Sequence, residues 1–145
     1  MSGNAAITKD LRSMALDWYR RNRARSRELF DLLTDEAYHS QPIALRHPII
    51  FYEGHLPGFS FNTLVKKALA CPSIDSRLEE IFARGIDPHE SSAGRGSTRS
   101  QVSRWPSRAT VLAFAADVDR QVEDALIKAE LDRPGHPLLD RAEAV

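Results

Sequence analysis

Arg46-His47-Pro48-Ile49-Ile50-Phe51-Tyr52-Glu53-Gly54-His55-Leu56-Pro57-Gly58-Phe59-Ser60-Phe61-Asn62-Thr63-Leu64 is a helical stretch that carries four aromatics, two histidines and two prolines. At helical spacing, residues three and four apart share a face. His55 therefore falls in line with Phe51, Phe59 and Tyr52, on the side expected to meet the core. An imidazole on such a face needs a partner: a hydrogen bond from the protein or a bound metal. Both readings are open from the residues alone.

The helix containing this stretch is expected over about Pro48 to Ala70. Pro48 suits a first turn, where its missing N–H is no loss. Pro57 is interior, removes a backbone hydrogen bond and predicts a kink or a break. Gly54 and Gly58 flank it and would ease the distortion.

Upstream, a helix is expected from about Thr8 to Leu33. Leu11, Met14, Trp18, Leu29 and Leu33 mark its apolar stripe. Arg20 to Arg27 form a basic middle, read as a solvated face or as cations near an anionic partner. Thr34-Asp35-Glu36 and Pro42 then open a loop.

Downstream, Ser73 reads as the N-cap of a short helix. Ile74, Leu78, Ile81 and Phe82 would line its buried side, with Gly85 at its end. Residues 88–107 are rich in Ser, Gly and Arg and predict a long loop. Arg95, Arg99, Arg104 and Arg108 there form either a solvated set or a guanidinium cluster for a carboxylate or phosphate. A third long helix follows from about Ser107 to Leu131, with Val111, Ala115, Val118, Val122, Ala125 and Ala129 as its seam. A fourth helical pattern starts at Pro137, with Leu138, Leu139, Ala142 and Val145 apolar. It runs barely two turns, too short to hold itself, so a fragment of a longer protein is expected. The fold class is all-α, in one domain over residues 1–145.

The bulk numbers exclude several classes. The chain has 145 residues with 20 basic and 20 acidic side chains, so no global field favours nucleic acid or an anionic membrane. No apolar run approaches the roughly 18 residues of a membrane span, and no signal core opens the chain. The single cysteine, Cys71, cannot form an internal disulfide. These features lead to the expectation of a cytoplasmic protein without membrane or nucleic-acid partners. Cys71 itself reads as a small structural residue or a reactive thiol. His47 is eight residues from His55, roughly 12 Å along a continuous helix, too far to share a metal. There is no Gly-rich phosphate loop, paired-cysteine spacing or nucleophile elbow.

The stretch His47-Pro48-Ile49-Ile50-Phe51-Tyr52-Glu53-Gly54-His55 resembles the first helical hairpin of the DinB-like N-terminal domain in iron-dependent sulfoxide synthases of the ergothioneine and ovothiol type. Ile74 to Pro88 is similar to the same family, especially its ovothiol branch, through Arg77-Leu78-Glu79 and Phe82-Ala83-Arg84-Gly85-Ile86-Asp87. The third helix and the Arg133-Pro134-Gly135-His136-Pro137 turn fit the same layout. The resemblance covers roughly residues 10–145.

The resemblance implies a DinB-like four-helix bundle whose fourth helix is incomplete here, and a separate catalytic domain related to formylglycine-generating enzyme. It implies an iron(II) held by three histidines, one at the position of His55. The other two would come from a His-x-x-x-His motif on the fourth helix, which is not among the 145 residues. Arg104, ahead of Trp105-Pro106, is the nearest match to the arginines that hold the carboxylates of a thiol substrate. The full-length enzyme would join that thiol to a histidine-derived imidazole with O₂ and oxidise the product to a sulfoxide. With one metal ligand of three, this chain alone is expected to be inactive. The alternatives are a stand-alone DinB-like module that forms a homodimer through its unfinished bundle, or a DinB-type thiol transferase using a divalent metal.

Overall fold

The computed structural model describes residues 3–85, 105–131 and 135–138. All of the secondary structure described there is helical: α1 (Gly3–Phe30), α2 (Asp35–Tyr38), α3 (Ile49–Ser60), α4 (Ser76–Phe82) and α5 (Arg108–Lys128). The protein is all-α, in keeping with a DinB-like bundle. The expected fourth long helix, from Pro137 onward, lies outside the described residues beyond Leu138, and so does most of the 88–107 loop with Arg95, Arg99 and Arg104.

The centre of the bundle is the pair α3 and α5. On α5, Val111, Phe114, Ala115, Val118 and Val122 are buried, the i, i+3, i+4, i+7 face of an amphipathic helix. Ser107 starts this helix as its N-cap, its hydroxyl accepting from Thr110 N–H at 3.2 Å. Ile50 and Phe51 of α3, with Phe61 and Val65 of the helical stretch that follows it, meet that face with essentially no exposure. Phe82 of α4 closes the core from a third side and stacks on Phe114 at 5.7 Å between centroids.

Pro57 does not end α3. The helix runs through Pro57 to Ser60 and continues as a π-helical stretch, Phe61–Lys67. The irregularity falls after the proline, where the Ala68 N–H reaches back to Thr63 O. Such an i→i+5 closure is a π turn, wider than the α-helical one. The helix then stops at Ala70, which adopts a left-handed conformation with φ 54°.

The N-cap of α4 is Asp75, not Ser73. The Asp75 carboxylate accepts from Leu78 N–H at 3.0 Å. Ser73 instead donates its hydroxyl to Glu79 at 2.9 Å. The helix ends at Phe82, so Gly85 sits three residues past it rather than just after its last turn. The residues expected on the buried side hold: Leu78, Ile81 and Phe82 are buried and Ile74 packs beside them. The loop after α1 also contains α2, unanticipated from sequence, with Thr34 as N-cap.

The expected stripe on α1 faces outward. Leu11, Met14, Trp18 and Leu29 are each about half or more exposed. The side turned to the bundle carries Tyr19, Arg23 and Phe30, with Leu33 just beyond. Tyr19, Phe30 and Leu33 pack on the core, and polar contacts to α5 accompany them. Arg23 Nε and Tyr19 OH both donate to Asp119 of α5, at 2.7 and 2.8 Å, and Arg20 pairs with Glu123 at 2.6 Å. The basic middle is thus only partly a solvated face, and its anionic partners belong to the same chain.

Candidate functional site around His55

His55 and His47 flank the Phe51 ring. Phe51 lies 4.2 Å from the His47 ring and 4.9 Å from the His55 ring, centroid to centroid, the latter pair stacked. Phe51 itself has no exposure. Trp105 turns an edge toward both Phe51 and His47 at 6.1 Å. Phe59 continues the line past His55 at 6.0 Å but is half exposed. The face expected to be wholly buried is therefore a gradient: Phe51 is inside, His55 half-buried, and Phe59 at the surface.

Each imidazole is tied to the end of α4. His55 Nδ1 lies 2.7 Å from the Phe82 carbonyl oxygen, and His47 Nε2 lies 2.9 Å from the Gly85 carbonyl oxygen. A carbonyl only accepts, so the ring nitrogen in each pair carries the proton. The two histidines are thus opposite tautomers when neutral. His55 keeps its lone pair on Nε2, and among the described residues Nε2 makes no hydrogen bond. His47 keeps its lone pair on Nδ1. Burial lowers the His47 pKa below the usual histidine range; the Gly85 carbonyl opposes this, while the nearby charges of Arg84 and His55 add to it.

The hydrogen-bond reading of His55 is realised, and it leaves the metal reading open. A metal-bound histidine commonly donates its other N–H to a backbone carbonyl, which fixes the tautomer and the ring plane. His55 fits the part of one donor. Among the described residues, however, no three His, Cys, Asp or Glu side chains gather to hold a metal ion. A complete donor set is not present there. His47 precedes α3, which starts at Ile49, so the continuous helix on which its expected spacing from His55 rests does not include it.

A second polar cluster sits on the opposite side of α3 from this gradient. Glu53, 4% exposed, meets Arg108 of α5 through two contacts at 3.3 Å. Arg108 also reaches Asp31 at 2.7 Å and lies over the Tyr38 ring at 5.1 Å. Its pKa is raised by the hydrogen bond to Glu53, against the cost of burial. Arg108, grouped by sequence with the loop arginines, is thus committed to an internal ion pair. Arg104 lies outside the described residues. Cys71 is partly buried beside a groove of about 260 Å³ lined by Val65, Leu69, Ala125 and His136, which shares no residue with the His55 cluster. No helix of the described residues is long and apolar enough to cross a membrane.

Sequence reasoning missed the Phe82 and Gly85 carbonyls, because a backbone partner leaves no residue-type signal. Nor does the sequence show that the Phe82 ring lies against Gly54, where a Cβ would collide with it.

Comparison with known proteins adds the lineage. A protein of Neurospora crassa named "Ergothioneine biosynthesis protein 1" is 33% identical to this chain over 88 residues, 60% of the chain and 10% of that protein. The chain thus matches about a tenth of that relative's length. The sequence profile of the DinB superfamily matches residues 19–145, nearly the whole chain and all of the His55 cluster. The chain belongs to the DinB superfamily.

Proposed function

We propose that this chain is the DinB-like helical part of a non-haem iron(II)- and O₂-dependent sulfoxide synthase of the ergothioneine or ovothiol type. Its substrates are a thiol and a histidine-derived imidazole. The observation that carries the reading is the His55 imidazole, whose Nδ1 is engaged by the Phe82 carbonyl at 2.7 Å and whose Nε2 is left with a lone pair for a metal. The similarity to the ergothioneine-biosynthesis protein supports the same lineage. Iron(II), when bound, would supply activation of O₂ beside the thiol sulfur. His55 would furnish one of its ligands, and the other donors would come from outside the described residues. Arg104 is proposed to bind a carboxylate of the thiol substrate. The cellular setting proposed is the cytoplasm.

The test is anaerobic iron(II) binding by the complete gene product, wild type against His55→Ala. His55→Ala weakens binding by at least about tenfold. Equal affinity in the two proteins overturns the reading.

A second reading is a helical module that acts without catalysis, by pairing with another copy of itself. The exposed Leu11, Met14 and Trp18 on one face of α1 favour it. Sedimentation showing only monomer at micromolar concentration removes it.

A further inference from the structure

Helix α3 places a glycine where alanine would serve the helix better. In a helix interior glycine costs about 1 kcal/mol relative to alanine. Gly54 has an ordinary helical backbone and no positive φ, so conformational freedom does not account for it. Space does. A Cβ at position 54 would collide with Cζ, Cε1 and Cε2 of the Phe82 ring, closer than side chains approach one another in proteins. The ring tip of Phe82 lies directly on the bare backbone of α3. At Gly58, one turn on, a Cβ would sit 3.2 Å from Phe82 Cβ. Phe82 therefore lies along a groove made by two glycines.

That seating sets where the Phe82 backbone goes. Phe82 is the last residue of α4 and has no exposure. With its ring pressed onto Gly54 and stacked on Phe114, its carbonyl arrives 2.7 Å from Nδ1 of His55, the residue that follows Gly54. Side chain and carbonyl of one residue thus contact two successive residues of α3. A ring held about a methyl's width further from α3 would carry the carbonyl with it, out of the 2.7–3.2 Å range of a good N–H···O bond.

We propose that Gly54 is the positioning residue for His55: by lacking a side chain it lets Phe82 seat against α3, so that the Phe82 carbonyl holds the imidazole in the Nδ1–H tautomer with Nε2 presented as an acceptor. The inference rests on the reading of His55 as a metal donor for its purpose, but its geometry is a property of this chain alone. It separates Gly54 from Pro57, to which sequence proximity would assign it.

The test reads the tautomer directly, by long-range proton–nitrogen NMR of histidine-labelled, metal-free protein at about pH 8, where a free imidazole is neutral. In the wild type, His55 Nδ1 resonates as a protonated nitrogen and Nε2 as an unprotonated one, well separated. Gly54→Ala loses that separation, as the ring exchanges between tautomers. Adding Phe82→Leu, which deletes the clashing ring tip but keeps the carbonyl, restores it.

A wild-type His55 that is averaged or protonated on Nε2 overturns the proposal. So does a wild-type pattern in Gly54→Ala, or a folded double variant without restoration. If Gly54→Ala alone does not fold, the wild type and the double variant decide the matter. Iron(II) binding is scored separately. A fixed tautomer with binding that ignores His55 refutes the metal reading and leaves the positioning intact. An averaged tautomer with binding that needs His55 does the reverse.

Discussion

The Arg108 guanidinium, in the first turn of α5, faces the Glu53 carboxylate, in the middle of α3, through two contacts of 3.3 Å. Glu53 is 4% exposed, so its charge depends on Arg108 for compensation. Removing one partner of a buried pair strands the other. Arg108→Met is expected to lower stability by about 3 kcal/mol. Asp31→Asn, which removes only the exposed partner of Arg108, costs under about 1 kcal/mol. Urea denaturation of the two variants checks this, and equal effects would show that Glu53 is compensated elsewhere.

Glu79 ties α4 to the π-helical stretch. Its carboxylate accepts from Lys66 at 2.6 Å, from Ser73 at 2.9 Å, and from the Ile74 and Asp75 N–H groups at 2.7 and 3.0 Å. Burial works against its charge, but these donors prevail and its pKa falls below the usual glutamate value. A depressed carboxylate pKa contributes stability above the unfolded-state pKa, and that contribution is lost as pH falls through the folded value. Glu79→Gln is expected to cost about 1–2 kcal/mol at neutral pH. The variant also loses less Tm than the wild type between about pH 7 and pH 3. Parallel acid limbs in the two proteins would refute the assignment.

The helices of this protein were legible where apolar spacing and burial coincide. Val111, Ala115, Val118 and Val122 form the inner face of α5, as their spacing required, and Ser107 caps it. On α1 most of the expected stripe faces outward, because the docked row of Tyr19, Phe30 and Leu33 includes the buried Arg23. Asp119 and Glu123 of α5 draw Tyr19, Arg20 and Arg23 toward the bundle, and Leu11, Met14 and Trp18 turn outward. Nothing local to α1 announces an acidic pair roughly a hundred residues away in sequence. At the candidate site, His55 stood out by its aromatic neighbours. Its partner did not, since the Phe82 carbonyl is a backbone atom placed by tertiary packing. Ser73 and Asp75 show the same limit at shorter range: either could cap α4, and Glu79 decides by recruiting the Ser73 hydroxyl.

Ala70 ends the long helix in a conformation that suits glycine. Its φ of 54° is left-handed, where a Cβ crowds the following carbonyl at a cost of about 1–2 kcal/mol. Ala70 is exposed, so the methyl group contributes little packing. Glycine removes the crowding but gains entropy in the unfolded chain, which offsets about half of it. Ala70→Gly is expected to stabilise by about 0.5–1 kcal/mol and to raise Tm by about 3 °C. Ala70→Val moves Tm the other way, because a β-branched residue is poorly tolerated there. A stabilising valine would mean that the helix does not end in this conformation.

Trp18 and Tyr19 are neighbours with opposite standing, and they test the orientation of α1 directly. Trp18 is 65% exposed, whereas Tyr19 packs on the core and donates to Asp119 at 2.8 Å. Burial and the negative charge of Asp119 raise the Tyr19 pKa far above the tyrosine norm, so its hydroxyl stays protonated as a donor. Trp18→Ser should change stability by no more than about 0.5 kcal/mol, although it removes the larger aromatic. Tyr19→Phe keeps the ring and loses only the hydrogen bond to a carboxylate, at a cost of about 1.5 kcal/mol. The emission maximum of Trp18, read in a Trp105→Phe background, should match a solvated indole. The opposite ranking of the two variants, with a blue-shifted Trp18, would mean that the arginine face is outside and the apolar stripe is docked.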